Sequence, residues 1–176
     1  LARIYAANGE IQKAHDIIGR LQVQVEESNT PILSSSVELC AGYIGGITGK
    51  KTSFAQWIRT GDVGQSDILY QGMGFNYIVY GKAVLLSKKY IELEVLSETF
   101  VQHFSIFQNQ LGFLHNRIFE AVAKYNLYGR EQGCAVLRQA LDMGGKDHIV
   151  MPFAEYAPSV MEMMRHIVHT GPRDTY

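Results

Sequence analysis

Cysteine is scarce in this chain, with two in 176 residues. Cys40 and Cys134 both fall inside helical patterns, so buried free thiols in a reducing cytoplasm are expected rather than a disulfide framework. An excess of one charge is also lacking: 16 Lys and Arg stand against 17 Asp and Glu, a formal net charge of −1. No basic run stands out, which argues against a nucleic-acid surface, because phosphate binding needs clustered Lys and Arg. No apolar run reaches the length of a membrane span. Apolar–polar alternation and hairpin dipeptides are missing, so no strand is expected. Leu1 already sits in a helical pattern with no signal peptide before it, and the chain is expected to be part of something longer.

What is present is apolar material with a helical period. Hydrophobic residues make up 47% of the chain, enough for a core and incompatible with disorder. The length suits one domain or one compact array. The clearest stretch is Leu111–Met143. Leu111, Leu114, Ile118, Val122 and Tyr125 recur at steps of three and four and share a helix face. Cys134, Leu137 and Leu141 do the same after Tyr128-Gly129-Arg130, where Gly129 can take the left-handed backbone that ends a helix. So short a connection makes the two helices antiparallel neighbours.

Taken in order, Leu1–Ala7 reads as a helix end and Asn8-Gly9-Glu10 as a turn. A helix over Ile11–Glu27 buries Ala14, Ile17, Ile18, Leu21 and Val25. Thr30 is placed as the N-cap before Pro31, and Ile32–Ile47 is helical despite three glycines. Thr48-Gly49-Lys50 turns, Ser53–Arg59 is a short helix carrying Trp57, and Thr60–Asp67 is a loop. Ile68–Leu86 is helical, Ser87-Lys88-Lys89 turns, and Tyr90–Gln108 returns. Gly144-Gly145-Lys146-Asp147 breaks the helix pattern, Pro152 and Pro158 bracket an irregular segment, and Ser159–His169 is a last helix before a frayed tail.

The turn centres Gly9, Gly49, Lys88 and Gly129 are separated by 40, 39 and 41 residues. A period of that size marks stacked helix pairs. The expected fold is all-α, a right-handed superhelix of about four antiparallel helix pairs, a tetratricopeptide-like (TPR-like) α-solenoid. Repeats are expected over 1–145 and a capping segment with one helix over 146–176.

Motifs for chemistry are weak. Residues 44–51 suggest a phosphate loop, but Ile44 and Lys51 stand where the motif needs Gly and Ser or Thr, and no strand precedes them. His166 and His169 have a metal-compatible spacing without a third ligand. Ser34-Ser35-Ser36 lacks the strand-turn-helix setting of a nucleophile, and Cys134 lies on a packing face. No catalytic residue, metal or cofactor is expected, and the chain is not expected to be an enzyme. The tyrosines are plentiful, ten in all. Tyr43, Tyr70, Tyr77, Tyr80, Tyr125 and Tyr128 fall on the first helices of pairs, which line the concave side of such superhelices. Most are expected in the core; rings with a polar tip also suit amphipathic ligands. Helix phase gives a candidate ligand or partner groove of Tyr43, Asn76, Tyr77, Tyr80, Lys82, Asn116, Arg117, Glu120 and Lys124.

Several phrases resemble a known family. Leu1-Ala2-Arg3-Ile4-Tyr5-Ala6-Ala7-Asn8-Gly9-Glu10, Ala55-Gln56-Trp57-Ile58-Arg59, Tyr80-Gly81-Lys82-Ala83-Val84-Leu85-Leu86 and Val136-Leu137-Arg138-Gln139-Ala140-Leu141, with Met151-Pro152-Phe153 after it, are similar to the helical-repeat region of MalT-type, ATP-dependent LuxR-family transcriptional regulators. Lys82 stands where that family has Arg. The resemblance covers nearly the whole chain. It implies a cytoplasmic, effector-sensing and protein-interaction region between an ATPase and a DNA-binding helix-turn-helix. Its partner would be a small-molecule effector or a regulatory protein, with self-association, no membrane, and DNA bound only through another domain. A pure TPR-type peptide-binding scaffold is the alternative.

Overall fold

The computed structural model describes residues 1–49, 74–106 and 108–170. Among them the chain is all-helical, with no strand. The expected Trp57 helix, the loop over 60–67 and the tail after 170 lie outside the described residues. In chain order the helices are α1 (Ala2–Ala7), α2 (Ile11–Ser28), α3 (Pro31–Ile47), α4 (Gly74–Leu86), α5 (Tyr90–Ile106), α6 (Gln110–Tyr128), α7 (Arg130–Lys146), α8 (Met151–Glu155) and α9 (Ala157–Thr170).

The helices are punctuated by residues with positive φ. Gly9 (78°), Asn29 (47°), Gly49 (83°), Lys88 (56°), Gln108 (47°), Gly129 (99°) and His148 (53°) each follow a helix. A left-handed residue past a helix end turns the chain and lets the last carbonyls find donors. The four turn centres expected from the sequence are among them. Asn29 and Gln108 fall midway between them and His148 lies 19 residues past Gly129, so the reversals recur about every 20 residues wherever consecutive helices are described.

The chain forms two compact units, Leu1–Lys88 and Lys89–Tyr176. In the first, α1 packs on α2, α2 on α3 and α3 on α4, and α1 also touches α3. In the second, α5 packs on α6 and α6 on α7, while α9 lies against both α7 and α6. The short α8 also touches α6 and α9.

Local sequence explains these contacts and their exceptions. Leu114, Ile118 and Val122 are buried as expected, but Leu111 is 47% exposed. It sits in the first turn of α6, where Gly112 takes the contact with α5: a Cβ there would fall 2.4 Å from Phe104. Leu21 is 39% exposed as well; among the described residues α2 packs chiefly on the short α1 and on α3. The expected break at residues 144–147 starts only at Asp147: Gly144 and Gly145 continue α7. Gly144 is buried where Phe153 closes on it, and that packing overrides the poor helix propensity of glycine. Pro152 and Pro158 do not bracket irregular chain. Each stands in the first turn of a helix, where the missing amide has no partner to lose. Thr30 precedes α3 but does not cap it through its hydroxyl, which donates to the Ser28 carbonyl at 3.2 Å. A cap that sequence reasoning missed is Asn109, whose side chain accepts from Gly112 N at 2.9 Å.

Candidate functional site

In the first unit, α4 carries the sequence Gly-Phe-Asn-Tyr-Ile-Val-Tyr-Gly-Lys-Ala-Val-Leu-Leu. Apolar residues surround it on all sides, and its ten residues from Asn76 to Leu85 are all buried. Lys82 is the one charge on this helix and is 2% exposed. Its Nζ lies 5.3 Å from the centre of the Tyr43 ring on α3. The Arg3 guanidinium of α1 lies 5.8 Å from the same ring. Two cations thus meet one aromatic face or its surroundings, an arrangement stabilised by the ring quadrupole.

The electrostatics follow from burial. Desolvation pushes the Lys82 ammonium down to about 7, and the nearby Arg3 charge pushes in the same direction. Burial raises the Tyr43 hydroxyl and the Cys40 thiol above their usual values, with Arg3 opposing both. Asn76 Nδ2 donates to Ser36 Oγ at 3.5 Å, joining α4 to α3. Tyr77 is 7% exposed and Tyr80 has no exposed surface, so both rings belong to the packed interior. The structure therefore brings Tyr43 and Lys82 together, sets Asn76, Tyr77 and Tyr80 along the same buried helix, and adds Arg3. Sequence reasoning had Arg3 only as part of a family phrase. Nothing local shows that a side chain on α1 reaches a ring 40 positions later.

In the second unit, Glu120 lies between Arg117 and Lys124 on α6, at 2.5 Å and 2.8 Å. Burial opposes its ionisation, but hydrogen bonds from Lys124 and Arg117 outweigh that and hold its carboxyl below the usual range. These three form one ion-paired cluster at a partly exposed surface. Asn116 is 1% exposed, and its Nδ2 donates to the Ser97 carbonyl of α5 at 2.8 Å. Its Oδ1 meets no donor among the described residues. Beside the cluster, Tyr128 OH donates to Glu94 at 2.7 Å.

The remaining motifs have structural settings. Residues 44–47 end α3, and Thr48 Oγ1 donates to the Ile44 carbonyl at 2.8 Å, so this part of the phosphate-loop look-alike is a helix terminus preceded by helix. Lys50 and Lys51 lie outside the described residues. Cys40 and Cys134 are free thiols, and burial raises that of Cys134. Among the described residues no three His, Cys, Asp or Glu come together as a metal site, and no helix is long and apolar enough to cross a membrane. A shallow groove of about 360 Å³ runs along α1 and α2, lined by Leu1, Tyr5, Ile17 and Leu21 among others. Comparison with protein-family models, curated proteins and solved structures gives no match for this chain.

Proposed function

We propose that this chain is the effector-sensing and protein-interaction region of a multidomain, cytoplasmic, LuxR-family transcriptional regulator of the MalT type. In this reading about four antiparallel helix pairs form a right-handed superhelix. An effector held by the repeats shifts the regulator between a closed and a self-associating state. The region has no chemistry of its own, and DNA is bound through another domain. The observation that carries the reading is the beat of helix-ending residues with positive φ about every 20 positions wherever consecutive helices are described. The family phrase at 1–10 contains Gly9, and the phrase at 80–86 leads into Lys88. In this reading the ligand acts at the meeting of α1, α3 and α4 around Tyr43.

The test is thermal unfolding of the protein against separate panels of neutral sugars and anionic metabolites. A ligand at one hundred times its Kd adds about 2.7 kcal/mol. For a chain of this size that raises Tm by about 5–10 °C. A saturable rise with one ligand class supports the reading; a flat response across both panels contradicts it. The scaffold alternative is favoured by one surface. Met161 (43% exposed) and Val168 (65%) lie seven residues apart on the outer side of α9, a spacing that suits a docked helix. Binding of a defined partner peptide, lost in Met161→Glu with no small-molecule response, would favour that alternative.

A further inference from the structure

We propose that Asn8-Gly9 is a site of self-modification, at which the Asn8 side chain closes on the Gly9 amide and the isoaspartate that results loosens α1 from α2. The inference is independent of the effector reading. Six asparagines occur in the chain, and only Asn8 precedes glycine. At each of the others the next residue carries a side chain that crowds its amide nitrogen. Asn8 and Gly9 are both exposed, and no neighbouring atom lies within 4 Å of where a Gly9 Cβ would stand. In the reaction the Gly9 amide nitrogen attacks Asn8 Cγ. A C–N bond forms, and the side-chain NH2 leaves with the amide proton as ammonia. The cyclic imide then takes up one water. Opening at one carbonyl gives aspartate; opening at the other gives isoaspartate, in which the main chain runs on through the former side chain. Water is the only co-reactant.

The folded turn holds this chemistry back. Gly9 N donates to the Ala6 carbonyl at 3.1 Å and Glu10 N to the Tyr5 carbonyl at 2.8 Å, the pair of bonds that closes a helix on a left-handed residue. The attacking nitrogen is therefore committed to the backbone. But α1 is six residues long with none buried, so it opens at low cost and frees that nitrogen. The product then removes what closed the turn. Isoaspartate puts an extra carbon into the main chain between residue 8 and Gly9 N, which throws both bonds out of register. It also leaves a carboxylate at the negative end of the α1 dipole.

The experiment is prolonged incubation of the whole chain in warm, mildly alkaline buffer, followed by peptide mass mapping and enzymatic methylation of isoaspartate. The same chain unfolded in urea runs beside it, as does Asn8→Gln, whose longer side chain closes the ring poorly. The proposal expects the mass gain of amide-to-acid conversion at Asn8, with isoaspartate in excess over aspartate and no such label in Asn8→Gln. Conversion in the folded chain should be about tenfold slower than in urea, since it waits on the opening of α1. Hydrogen exchange in the converted protein should be faster in the α1 peptides and unchanged over residues 89–170. An unmodified Asn8 in the folded chain overturns the proposal. So does conversion at the exposed Asn29 or Asn126 as fast as at Asn8, because exposure alone then decides. Equal rates with and without urea overturn the control by the turn, and unchanged exchange in α1 overturns the loosening.

Discussion

The ammonium of Lys82 sits 5.3 Å from the centre of the Tyr43 ring with almost none of its residue surface in water. Desolvation lowers its pKa from 10.5 in the free side chain to about 7. Between those two values the unfolded chain holds a proton that the folded chain does not. Stability therefore rises with pH across that window, and the cost of burying the charge is fully present below about 7. Denaturant midpoints taken at neutral pH and at pH 9.5 should show this rise in the wild-type protein. Lys82→Met removes the titrating group and should flatten that part of the profile.

The reversal between α6 and α7 depends on two glycines for different reasons. Gly129 has φ 99° and ψ 179°, a region that side chains avoid, with open space around its Cβ position. Gly129→Ala should cost about 1–3 kcal/mol through the backbone alone. Asn, which tolerates the αL region, should not rescue it, because this ψ is far from αL. At Gly133 the backbone angle is not the difficulty: a Cβ there would lie 2.5 Å from Tyr125 Cβ and 2.8 Å from its Cα. Gly133→Ala must push α7 off α6, and calorimetry should show a Tm fall of several degrees for either variant.

His115 Nδ1 and Tyr156 OH lie 2.7 Å apart, and the Tyr156 ring stands edge-on to Phe119 at 5.4 Å. This joins α6 to the residue between α8 and α9. Tyr156→Phe keeps the ring contact and removes the hydroxyl. It should cost about 1–2 kcal/mol in urea unfolding, whereas Tyr156→Ala should cost about 3–5 kcal/mol and raise amide exchange in α9.

Glu120 gives an acid-side signature. Its folded carboxyl lies below the usual range, so its pairing with Arg117 and Lys124 adds stability above the unfolded carboxylate pKa. That contribution disappears as pH falls through the lowered folded value. Its flanking cations are about one-third exposed, which screens the pairs, so Glu120→Gln should cost no more than about 1 kcal/mol near neutral pH. The difference from wild type should vanish in acid, as read by unfolding midpoints.

The helices and their reversals were legible because their signals are local. Gly9, Gly49 and Gly129 mark positive φ, and Leu114, Ile118 and Val122 carry the buried stripe of α6 in their spacing. What depended on the number of neighbours was not legible. Leu21 and Leu111 have the right phase and still face solvent, because too little among the described residues packs over them. Gly144 and Gly145 look like a helix stop until Phe153 is seen against the first of them. At the candidate site, helix phase found Tyr43 and Lys82 and also gathered Tyr80, whose ring is wholly interior. Arg3 joins the site through the packing of α1 on α3, a contact that no periodicity within either helix encodes.

The central claim is that the repeats hold an effector where α1, α3 and α4 meet. Hydrogen exchange read by mass spectrometry, with and without a ligand found in the thermal-shift panels, tests it most directly. The account predicts slower exchange in the peptides that carry Arg3, Tyr43 and Lys82. Protection confined to residues 89–170, or no change in the peptides around Tyr43 and Lys82 under saturating ligand, would contradict it.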